Sequence, residues 1–283
     1  MRTDLKIGLI GPGAMGEAML SGILAKKLTA PDNIAASGPI IERNVEINDR
    51  YKVQTFTENA KAAKSADVVI LSVKPQDLQK VLDSLQGAVQ KDALVLSIVA
   101  GASTAKISRL LGHDKIVRSM PNTPAQIGEG ITVWCCTDQV DDEQKEIASA
   151  ILGAFGEEIF VDDEKYLDKA TALSGTGPAY IYLFMEAMVD AGVHLGFSRR
   201  IAEKLVTETV RGSVDFFNQK GLDRKHIASF RNQVTSPGGT TAEALYYLEK
   251  AGFRTAISRA VWAAYQRSQE LGQDAGAHPP ENS

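Results

Sequence analysis

The stretch Ile7-Gly8-Leu9-Ile10-Gly11-Pro12-Gly13-Ala14-Met15-Gly16 decides the fold, because it places a glycine-rich turn directly after an apolar run. Gly11, Gly13 and Gly16 match the pattern G-x-G-x-x-G, and residues 17–27 are predicted to continue as a helix. The first glycine permits the tight turn, the second lets a pyrophosphate approach the backbone, and the third lets helix and strand pack closely. N–H groups at the helix start would face the phosphates. The stretch predicts a dinucleotide site, with a purely structural turn as the alternative.

On either side of this turn, residues 1–161 alternate short apolar runs with amphipathic stretches. Runs such as Val68-Val69-Ile70-Leu71 are typical of parallel strands covered on both faces. Strands that alternate with helices imply right-handed crossovers. The fold class is therefore predicted as α/β, with an N-terminal Rossmann-type doubly wound sheet. The predicted strands are Leu5–Ile10, Asn33–Ser37, Asp67–Val73, Leu94–Val99, Lys115–Met120, Thr132–Cys136 and Glu158–Val161. The predicted helices of the chain include Ile40–Tyr51, Asp142–Leu152, Arg224–Asn232 and Thr240–Ala251.

After residue 161 the pattern indicates helices alone, and residues 162–272 are predicted to form an all-α C-terminal dimerisation domain. Residues 273–283 are polar with Gly and Pro, and are predicted to be a disordered tail. Pro178–Val193 is apolar on nearly every side, with only Glu186 and Asp190 charged, yet it is too short to cross a membrane. A domain of about 110 residues encloses such a helix poorly. We therefore expect it to be buried against a second copy of the chain.

The composition limits the partners that the chain can have. Its 283 residues carry a formal net charge of −4, which gives no reason to expect nucleic acid or an anionic membrane. No apolar run approaches the roughly 20 residues that span a bilayer, and the first strand leaves no room for a signal peptide. The adjacent Cys135 and Cys136 are interpreted as small buried residues rather than a redox pair. We expect a cytoplasmic protein.

The end of the second strand bears on the choice of cofactor, because ligands lie beyond the carboxyl ends of the strands in an open α/β sheet. A site for NAD usually carries Asp or Glu about 20 residues past the last motif glycine. No carboxylate occurs before Glu42, whereas Ser37 and Arg43 are close by. A carboxylate would repel a 2′-phosphate, so its absence favours NADP. The alternative is an ordinary turn without a phosphate contact.

Three more loops follow predicted strands. Pro75 suits the first position of a helix, which places Lys74 toward the nicotinamide end, with a solvated lysine as the alternative. Residues 97–101 are small and leave room for a ring. Residues 120–125, Met-Pro-Asn-Thr-Pro-Ala, form a rigid polar loop that could equally be a structural turn.

Two glycine-rich helix starts occur in the second half, at residues 174–178 and 236–241. The second, Ser-Pro-Gly-Gly-Thr-Thr, could hold a carboxylate through backbone N–H groups and threonine hydroxyls, or it could be a plain helix cap. No metal site is expected, because the four histidines lack metal-ligand spacing; they are His113, His194, His226 and His278.

Several segments together resemble the pyrroline-5-carboxylate reductase family over residues 5–271. The glycine turn is shared by many dehydrogenases, whereas Met-Pro-Asn-Thr-Pro at 120–124 and Ser-Pro-Gly-Gly-Thr-Thr at 236–241 are more specific. Val73-Lys74-Pro75-Gln76 and the segment 173–180 add to the resemblance. Many members have Asn in place of Ala14, a difference expected to alter one cofactor hydrogen bond.

The resemblance implies reduction of 1-pyrroline-5-carboxylate to L-proline, the last step of proline biosynthesis, with NADPH preferred and NADH possible. It also implies a dimer joined through the helical domain, or a ring of such dimers. The substrate segment would be Gly239, Thr240 and Thr241, closing over the nicotinamide of the partner subunit. The cofactor residues implied are Ile10, Gly11, Pro12, Gly13, Ala14, Met15, Ser37, Asn59, Ser72, Val73, Lys74, Pro75, Ile98, Val99 and Ala100.

A protonated cyclic imine is already a good hydride acceptor, so orientation and electrostatics can supply most of the catalysis. The Thr241 hydroxyl is the hypothetical partner of the ring nitrogen, and Lys74 is the other catalytic candidate. One alternative is an NADP-dependent 3-hydroxy-acid dehydrogenase, for which Lys165 and Lys169 do not fit the expected helix pattern. Another is a silent dinucleotide sensor, which would not need a substrate clamp.

Overall fold

A central β-sheet organises the first part of the chain in the computed structural model, which describes residues 4–220 and 226–274. Eight strands form one sheet in the order β3-β2-β1-β4-β5-β6-β7-β8. The predicted α/β class with a Rossmann-type sheet is confirmed. The strands are β1 (Ile7–Ile10), β2 (Ile34–Ser37), β3 (Gln54–Phe56), β4 (Val68–Leu71), β5 (Leu94–Ser97), β6 (Ile116–Met120), β7 (Gly130–Cys136) and β8 (Gly156–Phe160).

Strands β1 to β6 pair in parallel, as the apolar runs predict, but β7 runs antiparallel to β6. A parallel crossover needs a dozen or more residues. Only residues 121–129 join β6 to β7, and they contain the short 3₁₀ turn Thr123–Ile127. The chain therefore turns back beside β6. Strand β8 then pairs in parallel with β7.

The helices cover both faces of the sheet, because the central strands alternate their side chains between two apolar clusters. Leu9 and Ile70 belong to one cluster, and Ile10 and Leu71 belong to the other. The helices of this part are α1 (Ala14–Ala25), α2 (Ile41–Tyr51), α3 (Asn59–Ala63), α4 (Leu78–Leu85), α5 (Thr104–Leu111), α6 (Asp142–Leu152) and α7 (Lys165–Ala170).

The remaining helices are α8 (Gly177–His194), α9 (Arg199–Lys220), α10 (Ile227–Gln233), α11 (Thr240–Lys250) and α12 (Phe253–Asp274). The helix predicted to begin at residue 224 starts outside the described residues. The predicted tail 273–283 also lies there, except for its first two residues, which belong to α12. No helix among the described residues has the length and apolarity needed to span a membrane.

By its internal contacts the chain forms two compact units. The first comprises the described residues up to Gly177 and those from Ala263 onward, and the second is Pro178–Trp262. Both α7 and the end of α12 belong to the first unit, because they are tied to the sheet. Buried Arg118 on β6 pairs with Asp168 of α7 at 3.0 Å, and Ser268 of α12 donates to the same carboxylate at 3.1 Å.

The two cysteines lie side by side on β7 as free thiols. Cys135 is buried and Cys136 is half-buried. Burial is the main cause that raises the pKa of the Cys135 thiol to about 12, so a thiolate is disfavoured there. This environment agrees with the interpretation of both as small packing residues.

Candidate functional site

The glycine-rich turn joins β1 to α1 in the geometry that a nucleotide site requires. Gly11 has a φ of +93°, and a Cβ there would lie 2.5 Å from the Ser72 carbonyl oxygen. Gly13 is different, because its φ is −74° and a Cβ would meet no atom within 4 Å. The protein itself therefore does not need a glycine at position 13, and the open space is available to a ligand.

Gly13 is also the N-cap of α1, and no side chain caps this helix. The first N–H groups of an uncapped helix lack intrahelical acceptors and favour an anion. The residues present thus fit a dinucleotide: backbone donors, a positive helix end and room for a pyrophosphate meet at one turn. Pro12, Ala14 and Met15 lie in this turn and in the first turn of α1, where the sequence places them.

A cleft of about 520 Å³ opens at the carboxyl ends of β1, β2 and β4. Five predicted cofactor residues line it, and nine further residues were missed. The missed ones come from the β2–α2 loop, the β3–α3 segment and the α4 region. The predicted lining residues are Ile10, Gly11, Ser37, Asn59 and Val73, and the missed ones are Gly38, Pro39, Thr57, Glu58, Ala60, Asp77, Lys80, Val81 and Ser84.

Side-chain hydrogen bonds connect three of the residues that line the cleft. The Ser37 hydroxyl donates to Asn59 Oδ1 at 2.8 Å, and Asn59 Nδ2 donates to Ser84 Oγ at 2.9 Å. Ser37 is fully buried, with 0 % of its surface exposed. The hydroxyl expected to donate to a 2′-phosphate is therefore committed to Asn59 in this structure, and Asn59 is the more accessible of the two.

Arg43 lies beside the cleft, in the first turn of α2, and it is held by neighbours. Its Nε donates to the Pro12 carbonyl oxygen at 3.0 Å, and its two terminal nitrogens pair with Glu17 and Glu46. Glu17 also accepts from Arg50 and from the Tyr51 hydroxyl. Burial alone would raise the pKa of Glu17, but the hydrogen bonds and charges of these donors outweigh it and leave the pKa lowered.

The ends of β4 and β5 continue the edge of the sheet beside β1. The Ser72 N–H donates to the Ile10 carbonyl at 2.8 Å, and the Ile98 N–H donates to the Leu71 carbonyl at 3.0 Å. Val99 is buried, with 2 % of its surface exposed. Ala100 is half-buried.

Lys74 precedes the 3₁₀ turn Pro75–Asp77, which Pro75 opens as predicted and which leads into α4. The side chain of Lys74 is exposed.

The polar loop after β6 is a structural turn. Asn122 Oδ1 accepts the Ile131 N–H at 2.9 Å, and the Ala125 N–H donates to the Asn122 carbonyl at 3.1 Å. These bonds shape the reversal from β6 to β7. Of the two functions left open by the sequence, the structural one is supported.

In the first glycine-rich helix start, at residues 174–178, the side-chain hydroxyls donate hydrogen bonds to backbone carbonyls. Residues Thr171–Gly175 form a π-helical turn. The Ser174 hydroxyl donates to the Ala170 carbonyl and the Thr176 hydroxyl donates to the Thr171 carbonyl, each at 2.9 Å. Both are thereby bonded to the backbone.

The second glycine-rich start, in the unit Pro178–Trp262, begins α11 without a side-chain cap. Gly239 is the N-cap of α11 and makes no side-chain cap bond, while Thr240 and Thr241 are the first two helical residues. A glycine, and not a threonine, therefore occupies the N-cap position. An uncapped helix start with two hydroxyls is suited to a carboxylate. Among the described residues, no three His, Cys, Asp or Glu side chains form a group that could hold a metal ion.

Comparisons with known proteins decide the family. A curated protein from Synechocystis sp., named pyrroline-5-carboxylate reductase, is 42% identical over 270 residues, which cover 95% of this chain and 99% of the relative. The chain belongs to the pyrroline-5-carboxylate reductase family. The Arabidopsis thaliana reductase is 37% identical over 270 residues, 95% of this chain and 96% of the relative.

Family models and solved structures agree with this membership. Residues 164–271 match the model described as pyrroline-5-carboxylate reductase dimerisation, and residues 6–101 match an NADP oxidoreductase model described as coenzyme F420-dependent. The crystal structure of pyrroline carboxylate reductase from Plasmodium falciparum, with NADP bound, is similar at a TM-score of 0.86 and 32% identity, covering 96% of this chain and 100% of that one. The family and the NAD(P)-dependent oxidoreductase class predicted from the sequence are confirmed.

Proposed function

We propose that this chain reduces 1-pyrroline-5-carboxylate to L-proline, with NADPH as the preferred reductant and NADH as a possible one. The observation that carries the proposal is the pair of uncapped helix starts, at Gly13 and at Gly239, within a chain of this reductase family. One suits a pyrophosphate and the other suits a carboxylate. We also propose that it works in the cytoplasm as a dimer or a ring of dimers.

The cofactor would be held mainly by backbone groups of the first unit. The N–H groups after Gly13 would bind the pyrophosphate, and Asn59 would line the adenosine side of the cleft. When bound, the reduced cofactor supplies a hydride from its nicotinamide ring. The residues Ile98 to Ala100 and the segment Ser72 to Pro75 would bound the nicotinamide side.

The substrate would be held by the start of α11. The N–H groups of Thr240 and Thr241 would bind the carboxylate, and the Thr241 hydroxyl would hydrogen-bond the ring nitrogen and relay to it a proton taken from solvent. We assign this segment to the cofactor site of a second copy of the chain. Lys74 is assigned a supporting electrostatic role at the same centre.

The preference for NADPH is supported by the end of β2. The loop after Ser37 continues as Gly-Pro-Ile-Ile, so no carboxylate occupies the position that reads the ribose 2′-hydroxyl in many NAD sites. Arg43 lies next to this loop. The bound NADP of the Plasmodium falciparum relative points in the same direction.

An assay with the full chain tests the proposal. Oxidation of NADPH and of NADH is followed with 1-pyrroline-5-carboxylate, and proline is quantified as the product. We expect turnover with both cofactors and a higher kcat/KM with NADPH. Cofactor binding without turnover of the imine would favour the dinucleotide sensor, and turnover of 3-hydroxy acids alone would favour the other dehydrogenase class.

The Thr241 hydroxyl has its own test. Thr241→Ala is expected to lower kcat/KM by about one to three powers of ten, the range for losing a hydrogen bond in a reaction site. Thr241→Ser keeps the hydroxyl and should recover most of that loss. Thr235→Ala is the matched control, because the Thr235 hydroxyl donates to the Arg231 carbonyl at 2.7 Å. Unchanged kinetics in Thr241→Ala would exclude the proton role.

A further inference from the structure

The environment of Arg43 carries an inference about cofactor selectivity. The guanidinium of Arg43 donates three hydrogen bonds. Its Nε donates to the Pro12 carbonyl at 3.0 Å, one terminal nitrogen donates to Glu46 at 2.9 Å, and the other terminal nitrogen donates to Glu17. A guanidinium has five N–H donors. Most of the hydrogen-bonding capacity of Arg43 is therefore taken before any ligand arrives.

The position of Arg43 is next to the place where a ribose 2′ group would lie. Pro12 belongs to the glycine-rich turn, and a Cβ on Gly38 would lie 3.0 Å from Pro12 Cδ. The end of β2, the turn and the first residues of α2 thus meet around this proline. In Rossmann-type sites, the end of the second strand is where the ribose 2′ substituent is read, and a nearby Arg accommodates a 2′-phosphate.

Glu17 is the centre of the cluster that holds Arg43. Glu17 lies in the first turn of α1, and its carboxylate accepts hydrogen bonds from Arg43, Arg50 and the Tyr51 hydroxyl. The Glu17 side chain is only 17% exposed, whereas Glu46, the other carboxylate on Arg43, is 60% exposed. The shielded partner is the stronger one, because water screens the exposed pair.

We propose that Glu17 is a selectivity-determining residue that limits the use of Arg43 as a 2′-phosphate partner and so keeps NADH usable. A phosphate dianion would have to compete with the Glu17 carboxylate for the same guanidinium, and it would be repelled by that carboxylate. A ribose 2′-hydroxyl would meet neither obstacle. The inference deepens the proposed function and rests on its cofactor site.

Nucleotide fragments test this without the reductase reaction. The measured quantity is the phosphate preference, defined as the Kd of 5′-AMP divided by the Kd of 2′,5′-ADP, determined by calorimetry on the full chain. Glu17→Gln should raise the phosphate preference by about tenfold, the scale of one charge-assisted contact. The double variant Glu17→Gln/Arg43→Gln should remove the gain. Glu42→Gln is the matched control, since this exposed carboxylate in the same turn of α2 makes no ion pair with Arg43 within residues 4–220 and 226–274.

Each result of these binding measurements either supports or overturns the proposed role of Glu17. A rise in Glu17→Gln that disappears in the double variant supports the inference. No rise overturns it. An equal rise in the double variant also overturns it, because Arg43 would then not be the residue that reads the phosphate. An equal rise in Glu42→Gln overturns it too, because the gain would then come from removing any nearby negative charge. If Glu17→Gln does not fold, Arg43→Gln decides: its phosphate preference should fall, and an unchanged value overturns the inference. A failure of imine turnover would leave these binding ratios unaffected, so the two proposals fail separately.

Discussion

At the scale of single residues, Gly11 and Gly13 are glycines for different reasons. Gly11 is required by the protein, because its φ of +93° and the 2.5 Å approach to Ser72 exclude a side chain. Gly13 has an ordinary φ of −74° and open space around its missing Cβ. The sequence motif assigns the second glycine to the approach of a pyrophosphate, and the geometry supports that assignment.

Gly13→Ala should therefore separate stability from cofactor binding. We expect the free energy of unfolding to fall by only about 1 kcal/mol, the cost of replacing an N-cap glycine by alanine, since no clash arises. The Kd of NADPH should rise by about tenfold or more, because the methyl group occupies the space for the pyrophosphate. Thermal unfolding without cofactor and fluorescence titration with NADPH measure the two effects.

Gly11→Ala is the comparison variant, and it should show the opposite order of effects. Its Cβ would overlap the Ser72 carbonyl, and a non-glycine residue at that φ is strained, so a lower melting temperature is expected even without cofactor. Equal loss of stability in the two variants would contradict the distinct role of Gly13.

At the scale of secondary-structure elements, long apolar or strongly amphipathic segments could be predicted from the sequence. All four-residue central strands were found, as were α2, α6 and α11 to within a residue. The missed elements, β3 and α3, span three and five residues, too few for a periodic pattern to be recognised. Their absence from the prediction is also why Thr57, Glu58 and Ala60 were missed as cleft residues.

The hydrogen-bond partners of the site residues could not be predicted from the sequence, because they come from segments that are distant along the chain. Ser37 was expected to face a phosphate, yet it bonds Asn59, 22 residues later. Arg43 was expected near the cofactor, but nothing in the local pattern of α2 indicates that Glu17 of α1 holds it. The direction of β7 depends likewise on the Asn122 to Ile131 bond within a short loop.

Arg118 ties four elements together, and its removal should destabilise the first unit. It is 5% exposed on β6 and pairs with Glu164 and Asp168 at 3.0 Å each. Glu164 in turn accepts from the N–H and hydroxyl of Thr104, the first residue of α5, and Ser268 of α12 bonds Asp168. Arg118→Met should cost about 3 kcal/mol in urea unfolding, because two partly shielded carboxylates lose their cation.

Two further variants test whether the Arg118 network stabilises the first unit. The triple variant Arg118→Met/Glu164→Gln/Asp168→Asn removes the unpaired charges and should regain part of the stability. Arg211→Met on α9 breaks an exposed pair with Glu208 and should leave the urea midpoint unchanged. Wild-type stability in Arg118→Met would show that the network does not hold α7 and α12 to the sheet.

At the scale of the whole molecule, the described residues of the second unit form only a small core. Their buried cluster consists of Val189, Ala202 and Val206. Large apolar side chains of α8, by contrast, are exposed, including Tyr182 at 61% and Leu183 at 67%. Monomeric proteins rarely expose contiguous apolar surface on this scale. Together with the match of residues 164–271 to the dimerisation model, this surface supports the proposed dimer.

Leu183→Asp should therefore convert the dimer to monomers and remove activity at the same time. A carboxylate placed in an apolar interface without a partner costs several kcal/mol, so the dimer dissociation constant should rise by about 100-fold or more. Sedimentation velocity over a concentration series measures dissociation, and cofactor oxidation at the same concentrations measures activity. Lys91→Asp, an exposed position before β5, is the matched control for a new acidic residue and should leave both unchanged. Activity that persists in a monomeric Leu183→Asp variant would contradict the assignment of the Gly239–Thr241 segment to the cofactor site of a second copy.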